Sequence, residues 1–393
     1  MENLSILSKT VRIIHTSLFN FFCYLSIGLL LSTLPSFVHL HLGLSPVWAG
    51  VAVSLQYLAT LVSRPWAGRM TDIKGSRATV LLGQTAGLLS GLFILTAAAL
   101  QRESAAFCFA VLLASRLILG CGESCVATGS TTWGLGRVAS EDAALVISWS
   151  GIASYGAMAL GAPIGIWLDN QYGIGGIGAA VTGISVLSFA FSLWLNDVPL
   201  LRGAHLPFAQ LVRRVSLHGL GLGFGTIGFG AIATFTTLYY GSRAWSDPSY
   251  ALILFGFCFV LTRLLFEGSI KRWGGLVVAA VSLALESVGL AILWVASNPD
   301  VALLGAALSG AGFALVFPAL GVEAVRTVRP PDRGSALGVY TAFLDLAMGI
   351  TGPAAGYIVG SFGYPAIYLM GAIMAACGLL ACLFLYHVRD DAA

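Results

Sequence analysis

The chain has 393 residues, of which 58% are hydrophobic and only 9% are charged. Soluble globular domains carry roughly 25% charged residues, so this composition excludes a water-soluble globular protein. The formal net charge of +3 is small and spread over many segments, which gives no basic patch of the kind that binds nucleic acid.

Apolar runs separated by short polar or turn-rich breaks predict twelve transmembrane helices of roughly 20 residues each. In chain order, the predicted spans cover residues 12–38, 46–67, 78–100, 105–132, 143–167, 173–196, 216–240, 248–267, 276–297, 300–325, 335–360 and 364–387. Because lipid offers no hydrogen-bond partner to a backbone group, these runs must be helical. The sequence therefore predicts an all-α membrane protein.

A charged segment, Gly68-Arg-Met-Thr-Asp72-Ile-Lys-Gly75-Ser-Arg77, separates the second and third spans. Its small residue, acid, turn glycine and flanking bases predict a short hairpin at the membrane surface. A partly degraded copy, Glu267-Gly-Ser-Ile-Lys271-Arg-Trp-Gly274-Gly275, follows the eighth span. Two such segments at matching places indicate that the chain arose by duplication.

Lysine and arginine are distributed unevenly between the breaks. With the N-terminus placed inside the cell, fifteen of the twenty basic residues belong to cytoplasmic segments: Lys9, Arg12, Arg69, Lys74, Arg77, Arg137, Arg202, Arg213, Arg214, Lys271, Arg272, Arg326, Arg329, Arg333 and Arg389. The outer breaks hold only Arg102 and Arg243. Cytoplasmic loops carry an excess of Lys and Arg, so both termini are predicted to be cytoplasmic.

The longest internal break, residues 197–215, divides the spans into two sets of six. We therefore predict an N-terminal six-helix bundle over residues 1–196, a cytoplasmic linker, and a C-terminal six-helix bundle over residues 216–393. The two bundles are expected to be pseudo-symmetric, and two such halves enclosing a site near the membrane midplane are typical of alternating-access transporters.

Three motifs resemble signatures of the major facilitator superfamily. The segment from Gly68 to Arg77 resembles the signature between helices two and three, and Arg116-Leu-Ile-Leu-Gly120 resembles that of helix four. Gly156-Ala-Met-Ala-Leu-Gly161-Ala-Pro163 resembles the helix-five signature associated with antiporters and exporters. The resemblance covers essentially the whole chain and implies a transporter that works by alternating access.

Longer strings are similar to the YhhS/YfcJ subfamily of bacterial inner-membrane proteins. They are Arg116-Leu-Ile-Leu-Gly-Cys-Gly-Glu-Ser124, Thr132-Trp-Gly-Leu-Gly136, Phe317-Pro-Ala-Leu-Gly-Val-Glu323 and Phe343-Leu-Asp-Leu-Ala-Met-Gly349. The subfamily is grouped with drug, sugar and metabolite exporters, so the resemblance implies export across a bacterial inner membrane. The second charged segment departs from the subfamily pattern, with Lys271 where the subfamily usually has Asp and Glu267 where it usually has Gly. These departures predict that the first charged segment is the main cytoplasmic latch; a latch of the second segment that works through Glu267 is the alternative.

The fourth span carries two ionisable residues, Arg116 and Glu123. Charged side chains inside a membrane cost roughly 2.5–3.5 kcal/mol on insertion scales, so they are candidates for function. Seven residues apart on a helix, the two lie on nearly one face with Cα atoms about 10 Å apart. They can approach each other, or share a third group or a substrate. The resemblance implies that this helix lines the cavity and that Arg116 takes part in proton coupling; a structural ion pair is the alternative.

Two further carboxyl groups lie within later spans. Asp345 is near the middle of span eleven, where a desolvated aspartate can take up a proton in the physiological range. It is predicted to share proton coupling with Arg116 and Glu123; an interhelical hydrogen bond or a pair with Arg263 is the alternative. Glu286 lies in span nine, which is peripheral in the superfamily pattern, and is interpreted as a packing residue.

Residues near the two charged segments are predicted to form a cytoplasmic gate. The predicted gate residues are Arg64, Gly68, Asp72, Gly75, Arg77, Arg263 and Glu323. Asp72 is expected to accept hydrogen bonds from a helix N-terminus of the other half, where the helix dipole favours an acid. Arg64 and Arg263 either pair with carboxylates there or extend to the inner membrane interface. Glu323 and Arg326 are three residues apart, which favours an ion pair along the helix.

Polar side chains on the first, second and fourth spans are candidate substrate ligands. The predicted set is Asn20, Tyr24, Gln56, Arg116 and Glu123. Their amide, hydroxyl and charged groups suit a small amphipathic or polyol-like molecule.

No phosphate-binding loop, catalytic triad or metal-spaced set of His and Cys is present in the sequence. We therefore expect neither an enzyme nor a cofactor or metal site. The expected partners are a small-molecule substrate, protons as the coupling ion and the lipid bilayer, with no nucleic acid, and a monomer is the superfamily default. A proton-coupled exporter is the leading hypothesis; a proton-coupled importer of a sugar, peptide or organic acid, or a non-transporting receptor or scaffold, are the alternatives.

Overall fold

The computed structural model describes residues 6–138, 143–198, 208–266, 268–329 and 332–390. Within these residues the chain is helical and contains no strand. The helices are α1 (Ile6–Leu31), α2 (Leu34–Ser36), a π-helix (Phe37–His41), α3 (Pro46–Lys74), α4 (Ser76–Leu100), α5 (Ala105–Leu135), α6 (Ala143–Trp194), α7 (Phe208–Ser242), α8 (Ser249–Phe266), α9 (Ser269–Trp273), α10 (Gly275–Val295), α11 (Pro299–Phe313), α12 (Val316–Arg326), α13 (Arg333–Phe362) and α14 (Pro365–Asp390).

Eleven helical segments of the described chain are long and apolar enough to cross a membrane. One of them, α6, has 52 residues and would be about 78 Å long if straight, more than twice the thickness of a bilayer core. Gly173, with φ 63° and ψ −169°, breaks it into two helices. Counted in this way the segments account for the twelve predicted spans, and the prediction of an all-α membrane fold is confirmed.

The charged segment after the second span is mostly helical, contrary to the predicted ten-residue hairpin. Helix α3 continues to Lys74, and Gly75 alone separates it from α4. Gly75 has φ 90°, a backbone conformation that glycine adopts without strain. In the degraded copy, Gly274 has φ 85° and precedes α10 in the same way. In both segments, therefore, a glycine with positive φ turns the chain into the next helix.

A second departure concerns the tenth span, which was predicted as one continuous helix. The chain forms α11 up to Phe313, makes a short turn at Ala314 and Leu315, and resumes as α12. The hydropathy pattern gives no signal for this break, but Pro318 lies four residues after Ala314, and a proline both lacks the N–H that would bond to the carbonyl group of residue i−4 and crowds that carbonyl.

The first compact unit of the chain comprises Met1–Thr33 and Leu55–Gly203. Within it α1 packs against α6, and α4 packs against α5 and α6. The α1–α6 contact is close because a Cβ at Gly28 would lie 2.7 Å from the carbonyl oxygen of Met158, and a Cβ at Gly161 would lie 2.8 Å from that of Leu25. Small residues at such positions let helix backbones approach each other.

The second compact unit comprises Leu34–Ser54 and Ala204–Ala393. Within it α7 packs against α13 and α14, and α10 packs against α11 and α14. The segment Leu34–Ser54 is held by Ser54, whose Oγ donates to the carbonyl oxygen of Met348 (3.0 Å) and accepts from the backbone N–H of Gly352 (3.1 Å). The bundle boundaries expected from sequence, at residues 196 and 216, stay a prediction.

Candidate functional site

A buried polar cluster lies in the first unit, where α3 and α4 face α5. Helix α5 supplies Arg116 and Glu123, α3 supplies Gln56 and Thr60, and α4 supplies Ser90. All five side chains are at most 3% exposed. A cation, a carboxyl group and an amide are therefore enclosed together in the apolar interior of this unit.

Arg116 is held by neutral acceptors. Its Nη1 donates to Gln56 Oε1 (3.2 Å), its Nη2 to Ser90 Oγ (3.4 Å) and its Nε to Ser115 Oγ (3.2 Å). The guanidinium group presents donors in a fixed fork, so acceptors from three helices fix its position. The positive charge of Arg116 is thus stabilised by the dipoles of neutral amide and hydroxyl groups.

Glu123 accepts two hydrogen bonds on one oxygen. Its Oε2 receives the Nε2–H of Gln56 (3.1 Å) and the hydroxyl of Thr60 (3.0 Å). The amide of Gln56 therefore joins the two ionisable residues, accepting from Arg116 and donating to Glu123. From the sequence, Arg116 and Glu123 were predicted to contact each other directly or through a third group, and Gln56 is that group.

Close contact between the backbones of α3 and α5 holds this cluster in register. A Cβ at Gly120 would collide with the carbonyl oxygen of Gln56 and lie 2.8 Å from Ala59 Cβ. The hydroxyl of Thr60 also reaches the carbonyl oxygen of Gly120 (3.0 Å). Glycine at position 120 thus lets the amide of Gln56 reach both Arg116 and Glu123.

The predicted substrate ligands Asn20 and Tyr24 lie on α1, outside the hydrogen bonds just described. Asn20 is 2% exposed, and its Oδ1 accepts the hydroxyl of Ser130 on α5 (2.7 Å). This bond fastens α1 to α5, and Tyr24 is half-buried one turn further along α1. Gln56 differs from these two because its whole amide belongs to the Arg116–Glu123 cluster.

Arg77, a predicted gate residue, contacts the C-terminal end of α6. Its Nε donates to the carbonyl oxygen of Ser192 (3.2 Å) and its Nη2 to that of Leu193 (2.5 Å). The last carbonyl groups of a helix lack partners within the helix, and a cation there also suits the helix dipole. Arg77 therefore caps α6 within the first unit, a contact that its position in the motif did not reveal.

Glu323, another predicted gate residue, caps α10 within the second unit. Its Oε1 accepts from the backbone N–H of Gly275 (3.0 Å) and from Arg326 Nη1 (2.9 Å). The predicted pair with Arg326 is thereby confirmed. Gly275 is the first residue of α10, so the carboxylate lies at the positive end of the helix dipole.

The other predicted gate and coupling residues occupy different environments. Asp72 is exposed in the last turn of α3, Arg64 is half-buried earlier in that helix, and a Cβ at Gly68 would meet no atom within 4 Å. In the second unit Arg263 is 5% exposed with its Cζ 5.8 Å from the Phe259 ring centroid, and Asp345 is 0% exposed on α13. Their roles in gating and coupling stay predictions.

The sequence model of the Major Facilitator Superfamily matches residues 16–275 and 249–393. The chain belongs to the Major Facilitator Superfamily. Two relatives within it are both named uncharacterized MFS-type transporters. The one from Burkholderia mallei (strain SAVP1) is 50% identical over 383 residues, covering 98% of this chain and 94% of the relative. The one from Pseudomonas aeruginosa (strain LESB58) is 48% identical over 381 residues, covering 97% and 94%.

Solved structures of the superfamily share the fold. A D-xylose–proton symporter matches with a TM-score of 0.80 at 15% identity, covering 96% of this chain and 97% of the symporter. The human organic anion transporter MFSD10 (TETRAN) matches with a TM-score of 0.74 at 17% identity, covering 95% and 99%. At these identities the likeness shows the fold alone.

The chain is therefore an MFS-type transporter, a multi-pass membrane protein that carries a small molecule across the bilayer. Superfamily members are transporters, which in general are not enzymes. Thr60 and Ser90 of the buried cluster were not predicted from the sequence. A serine or threonine in an apolar span usually bonds its own helix, so only the folded packing shows that these two contact Glu123 and Arg116.

Proposed function

We propose that this chain is a proton-coupled exporter, an antiporter that moves a small organic molecule such as a drug, sugar, siderophore or other metabolite out of a bacterial cell. It would lie in the inner membrane as a monomer with both termini in the cytoplasm. The observation that carries the proposal is the enclosed Arg116–Gln56–Glu123 cluster, which holds a titratable carboxyl group beside a fixed cation.

Coupling would follow from the hydrogen bonds of Glu123. As a carboxylate it accepts from both Gln56 and Thr60, and protonation would weaken these bonds by removing the negative charge. A hydrogen-bond donor or a cationic part of the cargo would bind the carboxylate of Glu123 in place of these donors. A proton on Glu123 and the cargo would therefore compete for the same carboxylate, as antiport requires.

Other predicted residues complete the proposal. Asp345 is the second proton-carrier candidate, because it is fully buried in the second unit. Asn20 and Tyr24 would contact the cargo together with the cluster, and Asp72 and Gly75 would belong to the cytoplasmic gate. Export is favoured over import by the resemblance of Gly156 to Pro163 to an exporter signature, and by the likeness to the YhhS/YfcJ subfamily.

The test is proton movement in proteoliposomes that enclose the pH-sensitive dye pyranine. An imposed pH gradient is combined with ethidium, D-xylose or an organic anion as trial cargo. Protein-dependent, cargo-dependent proton flux that is lost in Glu123→Gln is expected. Full flux in both Glu123→Gln and Asp345→Asn would remove both carriers from the mechanism. In whole cells, an exporter deletion raises the internal concentration of the cargo, whereas loss of an importer lowers it.

A further inference from the structure

Glu286 is a further enclosed carboxyl group, besides Glu123 and Asp345, in a unit of the chain that does not contain the Arg116–Glu123 cluster. It is the sole charged residue of α10 and lies near the middle of that 21-residue helix. Its side chain is 1% exposed. Because a charge in the middle of a membrane is costly, an acid at this place needs a physical reason.

Two glycines of α7 make room for the carboxyl group. A Cβ at Gly225 would lie 3.1 Å from Glu286 Oε2, and a Cβ at Gly228 would lie 2.8 Å from Oε1. On another side of α10, a Cβ at Gly312 would collide with the backbone nitrogen of Glu286. Helix α11 thus presses on the backbone of α10, and the carboxyl group occupies the space that the missing side chains of α7 leave.

The surroundings of this carboxyl group are apolar. Oε2 is buried and has no hydrogen-bond partner in the part of the chain that the structure describes. Leu283 and Leu290, one turn before and after Glu286, also lie against Gly225 and Gly228. A carboxylate without a donor or a cation is strongly disfavoured in such a place, whereas the protonated acid is tolerated.

The described helices that pack against α10 are α7, α9, α11, α12 and α14, and their titratable groups face elsewhere. His218 is near Glu323, and Glu323 faces Gly275 and Arg326. Tyr239 faces the carbonyl groups of Leu293 and Ala296, Tyr240 lies beside Tyr239 and Trp245, Tyr368 faces Thr236, Cys382 faces Gly221, and Cys377 is partly exposed. The exposed titratable groups of these helices are Arg213, Arg214, Lys271, Arg272, Asp300, Tyr386 and His387. The ligand that fits is a proton, because a metal ion needs several further oxygen or nitrogen ligands.

We propose that Glu286 is a proton-binding site of the second unit, at which proton binding and release are coupled to the packing of α7 against α10. Glycines line the α7 side of the seam between these helices, and α7 also meets α14 at a glycine: a Cβ at Gly371 would lie 3.2 Å from Gly228 Cα. A small shift of α7 removes the glycine cover and admits water to the carboxyl group. Glu286 holds its proton while the seam is closed and releases it when the seam opens.

The experiment is infrared spectroscopy of the full-length protein in lipid nanodiscs, without any cargo. Glu286 should contribute a C=O stretch of a protonated carboxylic acid that shifts in D₂O, shifts on labelling with ¹³C-glutamate, and loses intensity as the pH is raised. The band should be absent in Glu286→Gln and retained in Glu123→Gln. Ser287→Ala is the matched control on the same helix, because it removes only a bond to the carbonyl oxygen of Ala372 (2.9 Å), and it should retain the band.

Two results would overturn the proposal. One is the absence of any carboxylic-acid band that differs between the wild-type protein and Glu286→Gln. The other is a band whose intensity does not change with pH, since the acid would then be a fixed packing group. If Glu286→Gln does not fold, the ¹³C-glutamate shift in Glu123→Gln and the expected displacement of the band in Gly225→Ala decide the same question. The proposal is independent of cargo and direction, so failure of gradient-driven transport would remove the exporter assignment and leave this result standing.

Discussion

Replacing Gln56 by leucine should destabilise the first unit strongly. The substitution keeps the side-chain size but removes the bond from Arg116 Nη1 (3.2 Å) and the bond to Glu123 Oε2 (3.1 Å). Hydrogen bonds to charged groups contribute about 1.5–3 kcal/mol each, so the loss of two predicts a free-energy change of about 3–6 kcal/mol. At about 2–4 °C per kcal/mol for a unit of this size, the Tm should fall by at least roughly 6 °C.

The chain offers a matched control in Gln84 on α4. Gln84 is also 3% exposed, but its Nε2 has no hydrogen-bond partner among the described residues. Replacing an amide whose donor is unsatisfied by leucine should be close to neutral. Thr60→Val gives an intermediate case, because it removes one bond to Glu123 and leaves that of Gln56 in place.

The measurement is thermal unfolding of the purified protein in detergent, followed by tryptophan fluorescence at one scan rate. The expected order of Tm is wild type and Gln84→Leu highest, then Thr60→Val, then Gln56→Leu. Equal Tm values for Gln56→Leu and Gln84→Leu would refute the conclusion that the Gln56 amide joins Arg116 and Glu123 in the folded protein.

Three further predictions concern backbone contacts and helix caps. Gly120→Ala should lower the free energy of unfolding by about 1–3 kcal/mol, since the added Cβ would push α5 away from α3. Gly68→Ala should leave the Tm unchanged, because its Cβ meets open space. Similar Tm values for the two variants would contradict the packing described. Glu323→Ala should lower the free energy of unfolding by about 1–2 kcal/mol, because α10 loses its cap. Arg326→Ala should lower it much less, because the Arg326 side chain is 54% exposed. Hydrogen exchange at the start of α10 should rise in Glu323→Ala alone. Arg77→Ala should increase hydrogen exchange at the end of α6, and an unchanged exchange pattern would exclude the cap.

The number and class of the helices could be predicted because each membrane span must be apolar and long. Where the chain leaves the membrane, this signal ends, and the boundary of α3 was missed for that reason. The residues from Gly68 to Lys74 are charged but compatible with a helix, so α3 continues until Gly75 changes the backbone direction. The turn at Ala314 was missed because the surrounding sequence is uniformly apolar, although Pro318, four residues further on, is a local signal for a break in the helix.

The candidate site could be predicted in part. The spacing of Arg116 and Glu123 places them on one helix face, which is a local property of the sequence. Their connection through Gln56 depends on contact between residues that are 60 and 67 positions apart. Sequence periodicity alone does not encode which side chain of a neighbouring helix meets that face. The caps made by Arg77 and Glu323 were not predicted for the same reason.

The single-residue junctions at Gly75 and Gly274 have a mechanical consequence. A long, flexible loop would let the helices on either side of it move independently. A junction of one residue leaves little room for independent movement, so that the two helices of each pair are expected to rotate together. A rotation that begins at the surface end of α3 is therefore passed directly into α4, and one that begins in α9 is passed into α10, the helix that carries Glu286.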